Sequence, residues 1–193
     1  MTGQGKRAIN EGNYIGFCGW DKVLSTTNTL PQTTQSLFAT IFETGGRATE
    51  VLSLQGRNFQ ELDSRGIVLV RGMKVLKHRK VASRTFPIRM DDKLYEPMMR
   101  VVRETGENDY LFPYKYRWLY NRIAGINKYP DKSFGEWFPH RVRAERASQL
   151  VVDQGFGVID LMGFFNWKNS EMPTFYAKLS PEDLIRKMLV GKL

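Results

Sequence analysis

Gly66-Ile67-Val68-Leu69-Val70-Arg71-Gly72-Met73-Lys74-Val75-Leu76, then Lys77-His78-Arg79-Lys80-Val81-Ala82-Ser83, then Arg84-Thr85-Phe86-Pro87-Ile88, is the stretch of this 193-residue chain that decides its fold class. The first and last runs are rich in β-branched and aliphatic residues, and the run between them is polar and basic, so the pattern predicts a β-hairpin with a basic tip. Patterned segments on either side repeat at helical spacing. The expectation is a mainly α chain with a small antiparallel β-sheet built on that hairpin, an α+β domain.

Working outward toward the N-terminus, Leu37, Phe38, Ile41 and Phe42 recur on one helical face, and Gly45-Gly46 stop the helix. Arg47 through Leu54 then reads as a second short helix, with Val51, Leu52 and Leu54 toward a core. Arg47 sits at its start, where free N–H groups and the dipole favour an anion and a guanidinium adds a planar fork for phosphate oxygens. Glu50, three residues on, is spaced to hold that guanidinium. Residues 1–31 read as an irregular lead-in with a short helix near Trp20–Leu24.

Toward the C-terminus, Asp91-Asp92 are placed to cap a helix running to Arg103 with Leu94, Met98, Val101 and Val102 inward. Residues 105–113 form a loop. Tyr114–Asn127 carries Trp118, Leu119, Ile123 and Ile126 at helical spacing, with Lys115, Arg117 and Arg122 elsewhere on its surface. After a loop at Lys128–Trp137, Pro139 opens a helix whose inward residues are Val142, Ala147, Leu150 and Val151, and Gly155 ends it. Two short helices follow, at residues 157–163 and 171–178. Ser180-Pro181-Glu182-Asp183 then starts a tail helix with Leu184, Ile185, Met188 and Leu189 on one stripe. The organisation is a lead-in over 1–31, one domain over 32–180 and a tail helix over 181–193.

Composition narrows the class. Lys and Arg number 29 against 20 acids, a formal net charge of +9. Residues 71–89 hold seven of those basic residues and His78, with no acid. That density predicts a polyanionic partner, most simply nucleic acid bound through its phosphates. No apolar run approaches the length of a membrane span, the N-terminus has no apolar secretory core, and the single Cys18 excludes an internal disulfide, so a cytoplasmic setting is expected.

One constellation points to chemistry. His140 and Arg143 lie three positions apart and share one side of a helix near its start. Trp167 follows, and Tyr176 comes nine residues after it (176 − 167). An imidazole, a guanidinium, an indole and a phenol suit work on a phosphate. With one cysteine and two histidines, His78 and His140, the chain has no set at metal-ligand spacing.

Thr44-Gly45-Gly46-Arg47-Ala48-Thr49-Glu50-Val51-Leu52-Ser53-Leu54, Pro139-His140-Arg141-Val142-Arg143 and Trp167 nine before Tyr176, in that order around a basic hairpin, resemble the catalytic domain of the tyrosine recombinases, the phage-integrase-like family. The resemblance covers about residues 32–180. It implies that Arg47 and Arg143 clamp a scissile phosphate, that Tyr176 is the nucleophile forming a 3′-phosphotyrosyl link, and that His140 assists proton movement. Trp167 stands where most of the family has a second histidine. Its indole donates one hydrogen bond and does not titrate, so it positions rather than shuttles protons.

The resemblance further implies a hairpin lysine that protonates the departing 5′ oxygen. Family spacing to the second strand gives Lys80, with Lys77 and Lys74 as alternatives. The partners implied are double-stranded DNA and further copies of the chain, assembled as a tetramer through the tail helix. The link conserves bond energy, so neither nucleotide cofactor nor metal is implied, and the setting is that of a mobile genetic element. The 46 residues before Arg47 are too few for the N-terminal helical domain that family members usually carry. Two alternatives remain: a type IB topoisomerase, which generally has lysine at the position of His140 and histidine at that of Trp167, and a non-catalytic DNA-binding protein of the same fold.

Overall fold

The strand-forming run and its helical surroundings fold as the hydrophobic pattern requires. The structure, a computed structural model, describes residues 20–77, 80–126, 139–177 and 181–190. The lead-in before Trp20, the hairpin tip at His78-Arg79, the loop at Lys128–Trp137 and the Ser180 cap lie outside the described residues. Nine α-helices are described: α1 (Trp20–Asn28), α2 (Gln32–Thr44), α3 (Ala48–Val51), α4 (Tyr95–Glu104), α5 (Tyr116–Ile126), α6 (Pro139–Asp153), α7 (Val158–Phe165), α8 (Glu171–Ala177) and α9 (Pro181–Val190). Three strands, β1 (Phe59–Leu62), β2 (Ile67–Lys77) and β3 (Lys80–Arg89), form one antiparallel sheet in the order β1-β2-β3. Among the described residues no helix is long and apolar enough to cross a membrane.

Three expectations need correction. The short helix expected near Trp20–Leu24 is longer: α1 runs to Asn28 and buries Trp20, Val23, Leu24 and Thr27. These four have helical spacing, but the polar Thr27 breaks the apolar signal. Strand β1 was not expected, because Phe59-Gln60-Glu61-Leu62 has no apolar run and is an edge strand that buries little. Asp91 and Asp92 do not cap α4, whose first turn follows Leu94 with no side-chain cap. Asp91 instead binds Arg89, and Asp92 binds the buried Arg146 at 2.7 Å.

The register of the hairpin carries a consequence for the site. Val68 faces Ile88 and Val70 faces Phe86, all four buried, and the ladder then shifts so that Met73 faces Arg84. The extra residue is accommodated at Gly72, which takes φ 65°, as a bulge led by a left-handed glycine does. Strict alternation from Val68 and Val70 would have turned Lys74 inward. The bulge turns Met73 inward, and Lys74, paired with Ser83, is exposed on the opposite face. Lys77 and Lys80 pair with each other.

The core lies where α2 is gripped by α4 and α6, with Leu37, Phe38, Ile41 and Phe42 fully buried. The sheet's inner face closes one side through Val68, Val70, Met73, Phe86 and Ile88, and α7 packs on β3 through Phe164 and Phe86.

Candidate active site

The glycine corner between α2 and α3 sets the geometry. Gly45 ends α2 at φ 55° and donates its N–H to Phe42 at 2.9 Å. A Cβ on Gly45 would lie 2.3 Å from the Phe165 ring, and one on Gly46 would lie 2.5 Å from the Met73 side chain. Only glycines let the chain turn this close to α7 and β2, and the turn delivers Arg47 to the start of α3. Glu50 closes it: its carboxylate accepts the Arg47 backbone N–H at 2.9 Å and the Arg47 Nη1 at 2.5 Å.

Glu50 holds more than its neighbour. It is 1% exposed, and its Oε2 also lies 3.7 Å from Arg143 Nη1 and 3.9 Å from Arg84 Nη2. Among the described residues three guanidiniums thus share one carboxylate, a formal surplus of two positive charges. Burial pulls the Arg84 guanidinium down to about 9 and Arg143 to about 10, with the neighbouring arginines adding to the effect, and both remain charged at neutral pH. Arg143 donates to the Gly45 carbonyl, and its buried Nη2 has no hydrogen-bond partner among the described residues.

An aromatic column covers this cluster. The Phe165 ring lies 4.6 Å from the Arg143 guanidinium and stacks on Trp167 at 4.4 Å, and Trp167 stacks on Tyr176 at 5.7 Å and 13°. The column forms because Asn166, at φ 53°, turns the chain out of α7 in the left-handed conformation, and the Trp167 N–H closes the turn on Met162 at 3.0 Å. Helix α8 packs on α6 and brings Tyr176 to within electrostatic reach of Arg143. Burial raises the Tyr176 phenol above its ordinary value, Arg143 opposes this, and the buried Glu145 adds to it. His140 is exposed at the start of α6; partial desolvation, Arg143 and Arg47 hold its imidazole below the usual range, so it is neutral at pH 7.

Of the residues singled out in the sequence, Arg47, His140, Arg143, Trp167 and Tyr176 are therefore gathered around one corner. The side chains of Lys77 and Lys80 lie outside what the structure describes, and Lys74 is turned away from the face that carries Arg84. Sequence reading missed Arg84 altogether and gave Glu50 one partner instead of three. A signal for Arg84 existed: Arg84, Phe86 and Ile88 alternate along β3, and a charge at a core-facing strand position must be paired.

The model of the family described as "phage integrase family" matches residues 20–183. No curated protein matches the chain. The Tn1549 transposon integrase (residues 82–397), solved with circular intermediate DNA, is similar with TM-score 0.60 at 16% identity, over 91% of this chain and 66% of that one. The XerH site-specific recombinase bound to a palindromic difH substrate in a post-cleavage complex gives 0.62 at 16% identity, over 95% and 53%. The XerA recombinase gives 0.60 at 17%, over 89% and 62%. The chain thus spans between half and two thirds of the length of these structures, and at such identities the likeness is one of fold.

Proposed function

The chain belongs to the phage integrase family, and from that premise we propose that it is the catalytic part of a site-specific tyrosine recombinase that cuts and rejoins double-stranded DNA. The observation that carries the reading is the surplus of two positive charges around Glu50, beside a stacked tyrosine. A phosphodiester carries one negative charge, and the five-coordinate state formed by attack on it carries about two. A fixed surplus of two therefore favours the transition state over the bound substrate.

The steps follow from the site. Tyr176 Oη attacks phosphorus while the bond to the 5′ oxygen breaks, giving a 3′-phosphotyrosyl link and a 5′ hydroxyl. Arg47 and Arg143 clamp the non-bridging oxygens. The phenol is protonated at neutral pH and needs a base. His140, neutral at that pH, takes its proton. A hairpin lysine gives a proton to the 5′ oxygen: Lys80 by spacing, with Lys77 as its register partner, while the bulge speaks against Lys74. Trp167 holds the tyrosine by stacking. The attacking hydroxyl of a partner strand reverses the step, so the chemistry calls for neither metal nor nucleotide cofactor.

The wider assembly is read the same way. Helix α9 is tied to its own domain along one edge, where Arg186 binds Asp153 at 3.0 Å and Asp21 at 2.7 Å. Leu184, Ile185, Met188 and Leu189 remain exposed on the other, a stripe suited to a second copy in a DNA-bound tetramer. The test is covalent capture on nicked duplexes with randomised arms, which trap the cleaved intermediate, followed by sequencing of the captured ends. The expected result is a protein–DNA adduct that Tyr176→Phe abolishes. An adduct that survives Tyr176→Phe, or duplex binding with no adduct at all, overturns the reading.

A further inference from the structure

The arginine to which the mechanism gives charge but no step of its own is the most heavily held side chain near the site. Arg84 projects from β3 and is 4% exposed. Its Nη1 donates to the Phe164 carbonyl at 2.7 Å, and its Nη2 donates to the Thr44 carbonyl at 2.7 Å and to Met73 Sδ at 3.3 Å. The guanidinium lies 4.3 Å from the Phe86 ring centroid and 3.9 Å from Glu50 Oε2. Thr44 ends α2 and Phe164 lies in the last turn of α7, so one fork takes the carbonyls that two helix C-termini leave open.

Those two carbonyls adjoin the machinery. The residue after Thr44 is Gly45, whose carbonyl accepts Arg143, so Arg84 and Arg143 bind successive carbonyls of one corner. The third residue after Phe164 is Trp167, which stacks on Tyr176. On its own strand, Arg84 lies four residues from Lys80, at a register position of the same parity as Lys80 and Lys77. Burying a guanidinium is unfavourable unless its geometry and partners are good, and an apolar residue would close the sheet onto α7 more simply. What the guanidinium adds is directional: a planar fork fixes both the rotation and the distance of the hairpin relative to the corner.

We propose that Arg84 is a positioning residue that holds the basic hairpin in register with the phosphate clamp, so that the hairpin lysine reaches the departing 5′ oxygen. This rests on the recombinase reading. Arg84 does not touch DNA in this account. It acts through the lysine, whose ammonium gives up a proton to the 5′ oxygen as the phosphorus–oxygen bond breaks and the Tyr176 Oη–phosphorus bond forms.

The test separates proton donation from every other step. Nicked duplexes of the captured sequence are made with oxygen or with sulfur at the bridging 5′ position. An alkoxide needs a proton to leave, whereas a thiol, of pKa about 8.5, leaves as thiolate without one. Arg84→Lys keeps the charge and a donor for one carbonyl, and Arg84→Met keeps the volume. The expected result for Arg84→Lys is a folded protein, by near-ultraviolet circular dichroism, that binds the duplex normally. It should cleave the oxygen substrate about 10²-fold more slowly than the parent, as loss of a positioned acid does, and the sulfur substrate within a few-fold. Arg84→Met also removes one charge of the surplus around Glu50, so it should be slower than Arg84→Lys on both substrates, with sulfur restoring only the part lost through the lysine.

Equal losses on both substrates, no loss on either, or an unfolded Arg84→Lys protein would each overturn the inference. Lys80→Ala and Lys77→Ala serve as the reference. If sulfur rescues one of them but not Arg84→Lys, the lysine stands and the role of Arg84 falls. If both lysine variants cut the oxygen substrate at the parent rate, the hairpin-lysine reading falls and takes the inference with it.

Discussion

Helix α6 places two buried arginines one turn apart, and each enters a different ion cluster. Arg143 joins Arg47 and Arg84 around the single carboxylate of Glu50. Arg146 is itself the one cation paired there among the described residues, 3.0 Å from Glu43 and 2.7 Å from Asp92, with Gln149 accepting from its Nη1 at 2.6 Å. The first cluster has two positive charges too many, and the second one negative charge too many. The second can correct itself with a proton: burial and the nearby Asp92 push the Glu43 carboxyl up to about 8, against the pull of Arg146. The first has no comparable remedy, because arginine holds its proton at neutral pH. A charge surplus that the protein does not relieve internally marks a place built for an anion from outside, and one relieved by a proton marks a structural joint.

The largest effect should come from removing the shared carboxylate. Glu50→Ala leaves three guanidiniums together, two of them buried, without their counter-charge. Breaking a buried pair from one side typically costs about 3–5 kcal/mol, and this case belongs at the upper end, a large share of a small domain's total stability. Urea unfolding should show that loss, and covalent capture on nicked duplex should disappear. A variant that kept the parent's midpoint would dissolve the distinction between the clusters, since Glu50 would then be a bystander.

Next in size is Arg146→Met. It strips the second cluster of its cation, yet Glu43 can keep a proton and Asp92 still has Gln154 at 2.9 Å. The expected cost is about 3 kcal/mol, the lower end of the same range. Cleavage per folded molecule should stay at the parent rate, read as adduct formed per molecule with a native circular dichroism signal. A selective loss of cleavage at unchanged stability would mean that Arg146 belongs to the site after all.

What could be read from the sequence follows the same division. The positions of Arg47, His140, Arg143, Trp167 and Tyr176 could be singled out because local features mark them, a glycine corner, a helix opened by proline, a fixed spacing, and the roles proposed for them came from the family resemblance. The hairpin was legible from its residue types. Arg84 and the Arg146 cluster were not, because their meaning lies in partners 40, 80 and 54 positions away. The facing of Lys74 was hidden for another reason. One extra residue at Gly72 reverses which side of β2 each later residue occupies, and glycine within a strand run marks a bulge only when the register is known. Thr27 hid the C-terminal extent of α1, and Asp92 misplaced the start of α4, because a polar residue reads locally as a stop or a cap while packing in the fold claims it.

The effect most specific to the second cluster is a dependence on pH. A carboxyl raised from 4.5 to about 8 binds its proton more tightly in the folded chain than in the unfolded one. Between those two values the folded state therefore holds one proton more, and stability must fall as pH rises through the window. Glu43→Gln copies the protonated form: its carbonyl oxygen can still accept the Leu94 N–H, which lies 3.1 Å from Glu43 Oε1, and its amide can donate toward Asp92. The variant should match the parent near pH 5, lose the downward slope that Glu43 contributes, and be the more stable of the two near pH 8. Urea midpoints across that range check it. Parallel slopes for parent and variant would show that Glu43 is ionised at neutral pH, and the second cluster would then carry an uncompensated charge just as the first does.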